Sequence, residues 1–475
     1  MMETRRQTVS TSKNVIQGKQ RNYNDVIEYL DKHWSSKYQA KNLDRMKQLD
    51  LACGTPSQKI NTILVAGTNG KSLTIHLTAK LLKTEGLKVG SFYSPHILTY
   101  NERLAINHET VSNKVFAEIG NEVINIAEQL GFEPHSSEAL TMMALLYFVN
   151  QGIDVAVLEV SEGGAYNPAN ICTAKVATIT RVTARDVLTT DEQLQALISD
   201  MMGIVKQGTW IVSGDQSKAH LQCMQELTAA QGGNWAMPIR KLAPLSYPFE
   251  QLHGRCAALA ERLAQMFIEH FYNQNVTITA DSLLSKQKGL RGRPTLEAKR
   301  QSELHPKKTL DQFWKEELNE LPGRFQLLDK EKPSILLDTA SNIDAFKNIL
   351  LGVRLLHYQR PLKGLTIIIS AAKDTLHNEE FLKLIRYFFK KTSGQLLICP
   401  LEPSLEGVGE NDSWDIEKVT NDVKSMKVKA RSCKNFEEAF DIAKKSVDER
   451  YGLIVITGSH SVVNNYWRHK GIKKF

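Results

Sequence analysis

Short apolar runs and longer amphipathic stretches alternate along the first half of the chain. The apolar runs, which are typical of buried strands, lie at residues 62–66, 89–93, 155–160, 175–180 and 209–213. Helical patterns separate them, and a long helical pattern covers residues 251–272. Since strands that alternate with helices form βαβ units, this half is predicted to fold as a mostly parallel, doubly wound sheet.

A second, shorter alternation follows towards the end of the chain. It predicts strands at residues 334–338, 365–370, 395–399 and 453–457, and helices at residues 345–357, 379–389 and 436–447. Residues 285–321, between the two alternations, are rich in Lys, Arg, Glu and Gln and contain few apolar residues. This composition favours an inter-domain connection with some helix. The second alternation is typical of a smaller Rossmann-like domain.

The fold class is therefore α/β, with two domains of unequal size. A chain of 475 residues is too long for one core and suggests two or three domains. We predict four segments: a disordered leader at residues 1–22, an N-terminal domain at 23–300, a linker at 301–322 and a C-terminal domain at 323–475.

The polar, basic start of the chain lacks the apolar region of a secretory signal. An amphipathic organelle transit peptide is the alternative to a disordered leader. No apolar run elsewhere approaches membrane-spanning length, and 42% hydrophobic and 24% charged residues are typical of a soluble globular protein. We expect a cytoplasmic monomer without a membrane partner.

Charge and cysteine content exclude further classes of site. The six cysteines are scattered, without C-x-x-C or Cys/His clusters, which favours reduced thiols and argues against a zinc site. The net charge of +8 suits anionic ligands such as ATP or polyglutamates. It is too diffuse to indicate nucleic-acid binding, and the basic run at residues 286–300 is more simply a solvated linker.

The strongest candidate for chemistry is the segment at residues 63–74, ILVAGTNGKSLT, an apolar strand followed by a glycine-rich turn and a helix. Such a turn points backbone N–H groups at phosphate oxygens at a helix N-terminus. The predicted ATP-binding residues are Gly67, Thr68, Asn69, Gly70, Lys71 and Ser72. Lys71 supplies a charge for the β/γ-phosphates, and Ser72 offers a hydroxyl to phosphate or Mg²⁺. The spacing departs from the full Walker pattern because Val65 replaces its first glycine, and an ordinary glycine turn is the alternative.

Several motifs, which occur in the same order as in the family, resemble those of the folylpolyglutamate synthase/dihydrofolate synthase family of Mur-type ATP-dependent amide ligases. After the GTNGK loop come SPH-x-L at residues 94–98 and N-E-R at 101–103. The resemblance continues through residues 137–141, 157–164, PGRF at 322–325 and LDTASN at 337–342. It implies the Mur-ligase architecture, with a P-loop ATPase domain followed by a smaller Rossmann-like domain.

The resemblance also implies a reaction. ATP would activate a carboxylate as an acyl phosphate, and the amine of an incoming amino acid would displace the phosphate. In the family, the carboxylate belongs to a folate or dihydropteroate and the amino acid is L-glutamate. Because the reactants are anionic, Mg²⁺ and cationic side chains have to neutralise the developing charge. ATP and Mg²⁺ are thus the expected cofactors.

The resemblance further assigns residues to this chemistry. Ser94 and Glu159 would bind Mg²⁺ through hard oxygen ligands. Glu159 follows a strand, where α/β sheets bind ligands, although a strand-end carboxylate paired with an arginine is the alternative. In the C-terminal domain, Arg324 would reach the ATP phosphates, unless it forms a linker salt bridge, and Asp338 would bind the ribose hydroxyls. Lys71, Glu159 and Asp186 are the candidate catalytic residues.

Some family positions are changed in this chain. The family's metal-binding D-H pair is replaced by Arg185 and Asp186, so Asp186 is the candidate third metal ligand. Met201 stands where the family has a lysine that becomes carbamylated, and Ser341 replaces a histidine. A weak second metal site and low, bicarbonate-insensitive ligase activity are therefore expected, and Met201→Lys with Asp186→His is expected to raise activity.

The substrate-binding positions also differ. The family's pterin-contacting R-x-D is replaced by residues 165–167, and its L-x-G-x-H-Q-x-x-N-A helix by residues 252–257. Three hypotheses remain open. The chain is an active carboxylate–amine ligase, a degenerate nucleotide-binding paralogue with weak or no ligase activity, or a Mur-type ligase outside folate metabolism.

Overall fold

Two separate β-sheets organise the chain, one in each of two lobes. The computed structural model describes residues 18–34, 39–184, 190–237, 245, 249–272, 310–316, 321–373, 375–402 and 413–475. The first lobe contains an eight-stranded sheet and the second a six-stranded sheet. This arrangement confirms the predicted α/β class with mostly parallel sheets.

The first sheet has the strand order β4-β3-β2-β5-β1-β6-β7-β8. Its strands from β2 to β8 in this order run parallel, and β3 and β4 add an antiparallel edge. The strands are β1 Asn61–Ala66, β2 Val89–Phe92, β3 Leu104–Ile106, β4 Glu109–Thr110, β5 Val155–Glu159, β6 Val176–Ile179, β7 Trp210–Ser213 and β8 Asn234–Ala236.

Helices cover both faces of the first sheet. The helices of this lobe are α1 Tyr23–Lys32, α2 Ala40–Ala52, α3 Pro56–Lys59, α4 Lys71–Thr84, α5 Asn113–Gln129, α6 Ser136–Asn150, α7 Asp191–Met202, α8 Lys218–Ala230 and α9 Phe249–Phe267. Successive β1 residues alternate between two apolar clusters: Leu64 joins one, and Ile63 and Val65 join the other. Because a strand that is buried on both faces consists of consecutive apolar residues, β1 could be predicted from the sequence.

The second sheet has the strand order β13-β12-β11-β14-β10-β9, in which only β9 pairs antiparallel. Its strands are β9 Gln326–Leu328, β10 Ser334–Leu337, β11 Leu365–Ile369, β12 Gln395–Ile398, β13 Ala430–Ser432 and β14 Leu453–Thr457. The helices around it are α11 Ile343–Gln359, α12 Glu379–Lys391, α13 Ile416–Ser425, α14 Phe436–Ser446 and α15 His460–His469.

The start of the described chain differs from the predicted leader. Residues 1–17 lie outside the described residues. Arg21, however, is only 7% exposed and donates to Asn125 Oδ1 at 2.7 Å and to Glu128 Oε1 on α5. The packed chain therefore begins before the predicted boundary at residue 23.

The predicted linker contributes to the first lobe. Within residues 301–322, the structure describes helix α10, Leu310–Glu316. Its Phe313 and Trp314 side chains are buried in the apolar cluster that packs β1 against α4 and α9. The basic run at residues 286–300 lies outside the described residues. Over the ranges that the structure describes, no helix is both long and apolar enough to cross a membrane.

Candidate active site

A cavity of about 670 Å³ lies where the carboxyl ends of strands from both sheets meet. From the first lobe, it is lined by the loop after β1, by Ser94 after β2 and by Glu159 at the end of β5. From the second lobe, Asp338 after β10 and His460 after β14 complete the wall. Crevices at the carboxyl ends of parallel strands are the usual ligand sites of α/β proteins.

The loop between β1 and α4 has the backbone that the phosphate-binding hypothesis requires. Gly67 and Gly70 have positive φ angles of +133° and +87°. A Cβ on Gly67 would lie 2.2 Å from Thr180 Oγ1, so a larger residue is excluded there. Gly70 caps the N-terminus of α4, and among the described residues no side chain caps this helix. The positive end of the helix dipole therefore faces the cavity.

Lys71 and Ser72 occupy the first turn of α4, each 8% exposed. Lys71 Nζ donates to the carbonyls of Gly67 and Ser161, both at 2.9 Å, and lies 3.9 Å from Glu159 Oε1. Ser72 Oγ donates to Glu159 Oε2 at 3.0 Å. The loop thus brings an ammonium group and a hydroxyl to the same buried carboxylate.

Ser94 and Glu159, the predicted metal pair, are in contact. The Ser94 N–H donates to Glu159 Oε2 at 3.2 Å, and Ser94 Oγ accepts from Arg103 Nη1 at 3.2 Å. Glu159 is 2% exposed, and its described ion-pair partner is Lys71. The hydroxyl and carboxylate oxygens are hard donors that suit Mg²⁺.

The third predicted metal ligand, Asp186, lies outside the described residues. In the described part of the chain, no group of three or more His, Cys, Asp or Glu side chains has the arrangement of a metal site. Among the described residues, Ser94 and Glu159 are the predicted ligands of Mg²⁺, and oxygens from substrates commonly complete the coordination of this ion.

Arg324 reaches across from the second lobe to the phosphate loop. Its Nη2 donates to Ser72 Oγ at 3.4 Å and to His460 Nε2 at 3.2 Å. Its Nη1 donates to Thr339 Oγ1 and to the Gly323 carbonyl. The described contacts are hydrogen bonds within the site, which favours the predicted phosphate role over a linker salt bridge.

Asp338 lines the same cavity directly after β10. Its Oδ2 accepts from the Phe325 N–H at 2.8 Å. Burial raises the pKa of this carboxyl from 3.8 to about 6, against the opposing effects of the Phe325 N–H and the Arg324 charge. The Ala340 N–H also donates to this carboxylate, and the ribose contact of Asp338 stays a prediction.

The loop residues Thr68 and Asn69 have further partners. The Thr68 N–H and hydroxyl both donate to the Arg181 carbonyl, at 2.8 and 3.1 Å. Asn69 exchanges amide hydrogen bonds with Asn342 at 2.8 and 3.1 Å and donates to Asp344 Oδ2 at 2.9 Å. These contacts fix the loop against β6 and against the second lobe, and the ATP roles of both residues stay predictions.

Sequence reasoning gave no role to three residues that the structure places at the site. Arg103 donates to His96 Nδ1 at 2.9 Å and stacks near the Trp34 and Tyr100 rings. Asp344 pairs with Arg181 Nη2 at 2.6 Å, and His460 contacts Arg324. Arg103 belongs to the N-E-R motif, Asp344 follows the LDTASN segment and His460 follows a predicted strand, but only tertiary contacts show their partners.

Met201 does not occupy a metal-ligand position. Its side chain is fully buried in the apolar cluster that also contains Met202 and Ile204. Lys206 is held elsewhere, because its Nζ donates to the carbonyls of Asn170 at 2.6 Å and Cys172 at 2.7 Å. The expectation that Met201→Lys with Asp186→His raises activity stays a prediction, and the apolar packing around Met201 opposes it. Ser341 does line the cavity.

Comparisons with known proteins support the sequence resemblance. No protein-family model matches the chain. The chain is 27% identical over 245 residues to a dihydrofolate synthase/folylpolyglutamate synthase of Bacillus subtilis, which covers 50% of this chain and 53% of that protein. It is 30% identical over 243 residues to a folylpolyglutamate synthase of Lacticaseibacillus casei, covering 49% and 55%. The matched part thus spans about half the length of these curated relatives.

Solved structures with the same fold cover almost the whole chain. A ligand-free bifunctional folylpolyglutamate synthase/dihydrofolate synthase from Yersinia pestis aligns with a TM-score of 0.71 and 20% identity, over 95% of this chain and 98% of that one. Folylpolyglutamate synthase of Mycobacterium tuberculosis aligns with a TM-score of 0.72 and 18% identity, over 94% and 98%.

The chain is similar to folylpolyglutamate synthases/dihydrofolate synthases, in sequence over about half its length and in fold over almost all of it. The similarities in sequence and in fold point to the same family, which confirms the resemblance carried by the GTNGK, SPH, PGRF and LDTASN segments. Within this synthase fold, the positions of Lys71, Glu159 and Arg324 around one cavity define the site on which a function can be proposed.

Proposed function

We propose that the protein is an ATP-dependent carboxylate–amine ligase that adds L-glutamate to the carboxylate of a folate or dihydropteroate. The observation that carries this proposal is the meeting of Lys71, Ser72 and Glu159 from the first lobe with Arg324 from the second. A phosphate loop, a buried carboxylate and a cation from another lobe form one set for phosphoryl transfer.

The proposed role of each residue follows from its charge. Lys71 and the N-terminus of α4 would bind the β/γ-phosphates, and Arg324 would bind them from the opposite side. Glu159 and Ser94 would hold Mg²⁺, which when bound neutralises phosphate charge. Asp338 would accept from ribose hydroxyls. Between the lobes, the acyl phosphate would be shielded from water until the amine attacks its carbonyl carbon and inorganic phosphate leaves.

Ligands of the related structures support the choice of substrates. One solved relative is E. coli FolC in complex with DHPP and ADP, and another synthase contains Mn, AMPPNP and L-glutamate. These ligands were bound to those proteins. For this chain we propose ATP and Mg²⁺ as cofactors, small-molecule substrates and a monomeric state.

Part of the cavity lining suits an aromatic carboxylate. Trp34, Phe92, Leu140, Pro168 and Arg103 are among the residues that line the cavity. Apolar and aromatic side chains bury a planar ring system, and a guanidinium group pairs with a carboxylate. The family's pterin-contacting R-x-D is replaced in this chain by residues 165–167.

The decisive experiment is an ATPase assay that depends on substrate. Purified protein with Mg²⁺-ATP is supplied with dihydropteroate or tetrahydrofolate, with and without L-glutamate, and the products are identified by mass spectrometry. We expect phosphate release that requires both substrates, and a product heavier by one glutamate residue.

Lys71→Ala serves as the matched inactive control. Loss of its charged hydrogen bonds is expected to weaken nucleotide binding by about 1.5–3 kcal/mol. ATP binding by the parent without any product from either acceptor would contradict the ligase proposal and support a nucleotide-binding paralogue. Equal ATP binding by Lys71→Ala and the parent would overturn the assignment of the loop.

A further inference from the structure

His460 lies at the point where the second sheet faces the phosphate loop. It is the first residue of α15 and follows β14 after a short turn. The residue before it, Ser459, caps the helix by accepting from the Val462 N–H at 3.2 Å. This cap holds the start of the helix, so the backbone of His460 is fixed relative to the cavity that it lines.

In the hydrogen bond between His460 and Arg324, only the arginine can be the donor. Arg324 Nη2 lies 3.2 Å from His460 Nε2. A guanidinium group has N–H donors and no acceptor, so the imidazole nitrogen has to accept. Nε2 is therefore unprotonated, and His460 is neutral in this arrangement. A doubly protonated imidazole would place two cations in contact.

The surroundings of His460 favour the same neutral form. Burial lowers the pKa of this imidazole well below its usual value, and the positive charges of Arg324, Arg103 and Lys71 lower it further. The N-terminus of α15 adds a positive potential in the same direction. The histidine thus offers a lone pair to a crowded group of cations without adding another charge.

The contact decides where the far end of the Arg324 guanidinium points. Its Nη1 is held by Thr339 Oγ1 and by the Gly323 carbonyl, both close in sequence to β10 and the PGRF turn. Its Nη2 has two described partners, His460 Nε2 and the longer 3.4 Å contact with Ser72 Oγ. Without an acceptor at position 460, Nη2 would keep only the contact that crosses between the lobes.

We propose that His460 is a positioning residue of the nucleotide site, whose neutral Nε2 holds Arg324 Nη2 beside Ser72 so that the guanidinium meets the nucleotide's phosphates in a fixed orientation. The inference rests on the proposed function, because it assumes that Arg324 contacts ATP. It adds a second-lobe imidazole to a site whose family histidine positions are changed in this chain.

Two substitutions of His460 distinguish the effect of its acceptor nitrogen from the effect of its ring volume. His460→Phe keeps an aromatic ring and removes the acceptor, whereas His460→Gln keeps a neutral acceptor oxygen on a flexible side chain. Binding of a non-hydrolysable ATP analogue with Mg²⁺ to the full chain is measured by calorimetry. We expect His460→Phe to bind about tenfold more weakly, as for loss of one hydrogen bond to a charged group, and His460→Gln to recover most of the affinity.

Ser461→Ala is the matched control on the same turn of α15. Ser461 Oγ donates to the Glu402 carbonyl at 2.7 Å and has no described contact with Arg324. This variant disturbs the start of the helix without touching the guanidinium, so we expect parental affinity. In turnover assays, His460→Phe should raise the KM for ATP more than it lowers kcat.

A double-mutant cycle with Arg324→Gln tests whether His460 acts through Arg324. If His460 acts through Arg324, His460→Phe should have no further effect on affinity in the Arg324→Gln background. Equal losses from the Phe and Gln variants, or additive losses in the cycle, would overturn the inference. Weaker binding by Arg324→Gln with no change in His460→Phe would overturn it while leaving the proposed function standing. Unchanged binding by Arg324→Gln would overturn both the inference and the proposed role of Arg324.

Discussion

At the scale of single residues, Glu159 is the centre of the site. It accepts hydrogen bonds from Ser72 Oγ and the Ser94 N–H and lies 3.9 Å from Lys71 Nζ. A buried carboxylate with these partners serves either to position the phosphate loop or to hold a metal ion. An experiment can distinguish the two roles, because removal of the negative charge should weaken metal binding more than it disturbs the loop.

Glu159→Gln is expected to raise the Mg²⁺ concentration required for half-maximal activity by roughly tenfold or more, since it keeps an acceptor oxygen but removes the charge that balances the cation. The measurement is a Mg²⁺ titration of the ATPase rate. Unchanged Mg²⁺ dependence and rate would show that Glu159 has only a structural role.

Asp338 makes the stability of the folded protein depend on pH. Its pKa of about 6 in the folded protein exceeds the ordinary value of 3.8, so folding favours the protonated form. Its contribution to stability is therefore fully present below about pH 4 and is lost as the pH rises through about 6. Relative to Asp338→Asn, the parent should lose less than about 3 kcal/mol over this interval, because the carboxyl is partly exposed.

Denaturant unfolding of both proteins between about pH 4 and pH 7 measures this difference. The asparagine keeps an oxygen that accepts from the Phe325 N–H, so the hydrogen bond is retained and only the titration is removed. A difference in unfolding free energy that stays constant across the interval would mean that the Asp338 pKa is not raised.

At the scale of elements, the loop before α4 depends on its glycines. Gly70 and Gly86 flank the same helix with nearly equal φ angles of +87° and +89°. A Cβ on Gly70 would lie 3.0 Å from Cys256 Sγ, whereas a Cβ on Gly86 would meet nothing within 4 Å. The two positions thus share the backbone requirement and differ in their surroundings.

Alanine at either position should cost about 1–2 kcal/mol of stability, because both require a left-handed backbone. Only Gly70→Ala is expected to lose affinity for ATP, since it alters the N-terminus of α4 at the cavity. Thermal unfolding and calorimetry of the two variants provide the comparison. Parallel behaviour of the two variants in ATP binding would argue that the loop does not bind phosphate.

Helix α7 illustrates how a family alignment and a core can disagree. Met201 aligns with a functional lysine, yet its side chain is buried among apolar neighbours. We expect Met201→Lys to destabilise the protein by about 3 kcal/mol or more, since it buries an unpaired charge, whereas Met201→Leu should cost less than about 1.5 kcal/mol. Chemical denaturation measures both. A stable Met201→Lys variant with higher, bicarbonate-stimulated activity would show that this position can hold a functional lysine.

At the scale of the whole molecule, the two lobes are joined beside the phosphate loop. Asp344, near the start of α11, pairs with Arg181 Nη2 at 2.6 Å and accepts from Asn69 Nδ2 at 2.9 Å. The second lobe therefore holds the loop that is proposed to bind ATP. Loop geometry and lobe position are coupled through one carboxylate.

Asp344→Ala is expected to lower kcat/KM for ATP by about tenfold, with only a small change in the unfolding temperature, because it removes contacts between lobes and leaves both apolar cores intact. Glu379→Ala is the control, since Glu379 forms an exposed ion pair with Lys383 on the neighbouring helix α12. Similar activity of the two variants would show that the contact between the lobes is incidental.

The sequence predicted the architecture well where burial is complete. The run at residues 453–457 became β14 with the same bounds, because a strand covered on both faces is apolar throughout. The short edge strands β4 and β13 were not predicted, since their side chains are partly or fully exposed and carry no apolar pattern.

The residues of the site were also predictable only in part. The phosphate loop is contiguous, so its residues are recognisable together. The contacts of His460 with Arg324 and of Asp344 with Asn69 join positions more than a hundred residues apart. No local pattern records such pairs, and only the packing of the two sheets brings them together.

The burial of α10 in the first lobe limits how far the lobes can separate. Phe313 and Trp314 anchor the chain to the first lobe, and Gly323 begins the turn that carries Arg324. The six residues from 317 to 322 between Glu316 and Gly323 have a fully extended reach of about 20 Å. Arg324 is therefore tethered near the loop, at an effective concentration on the order of millimolar. Recapture of a nucleotide by the second lobe is thus an intramolecular event, independent of protein concentration.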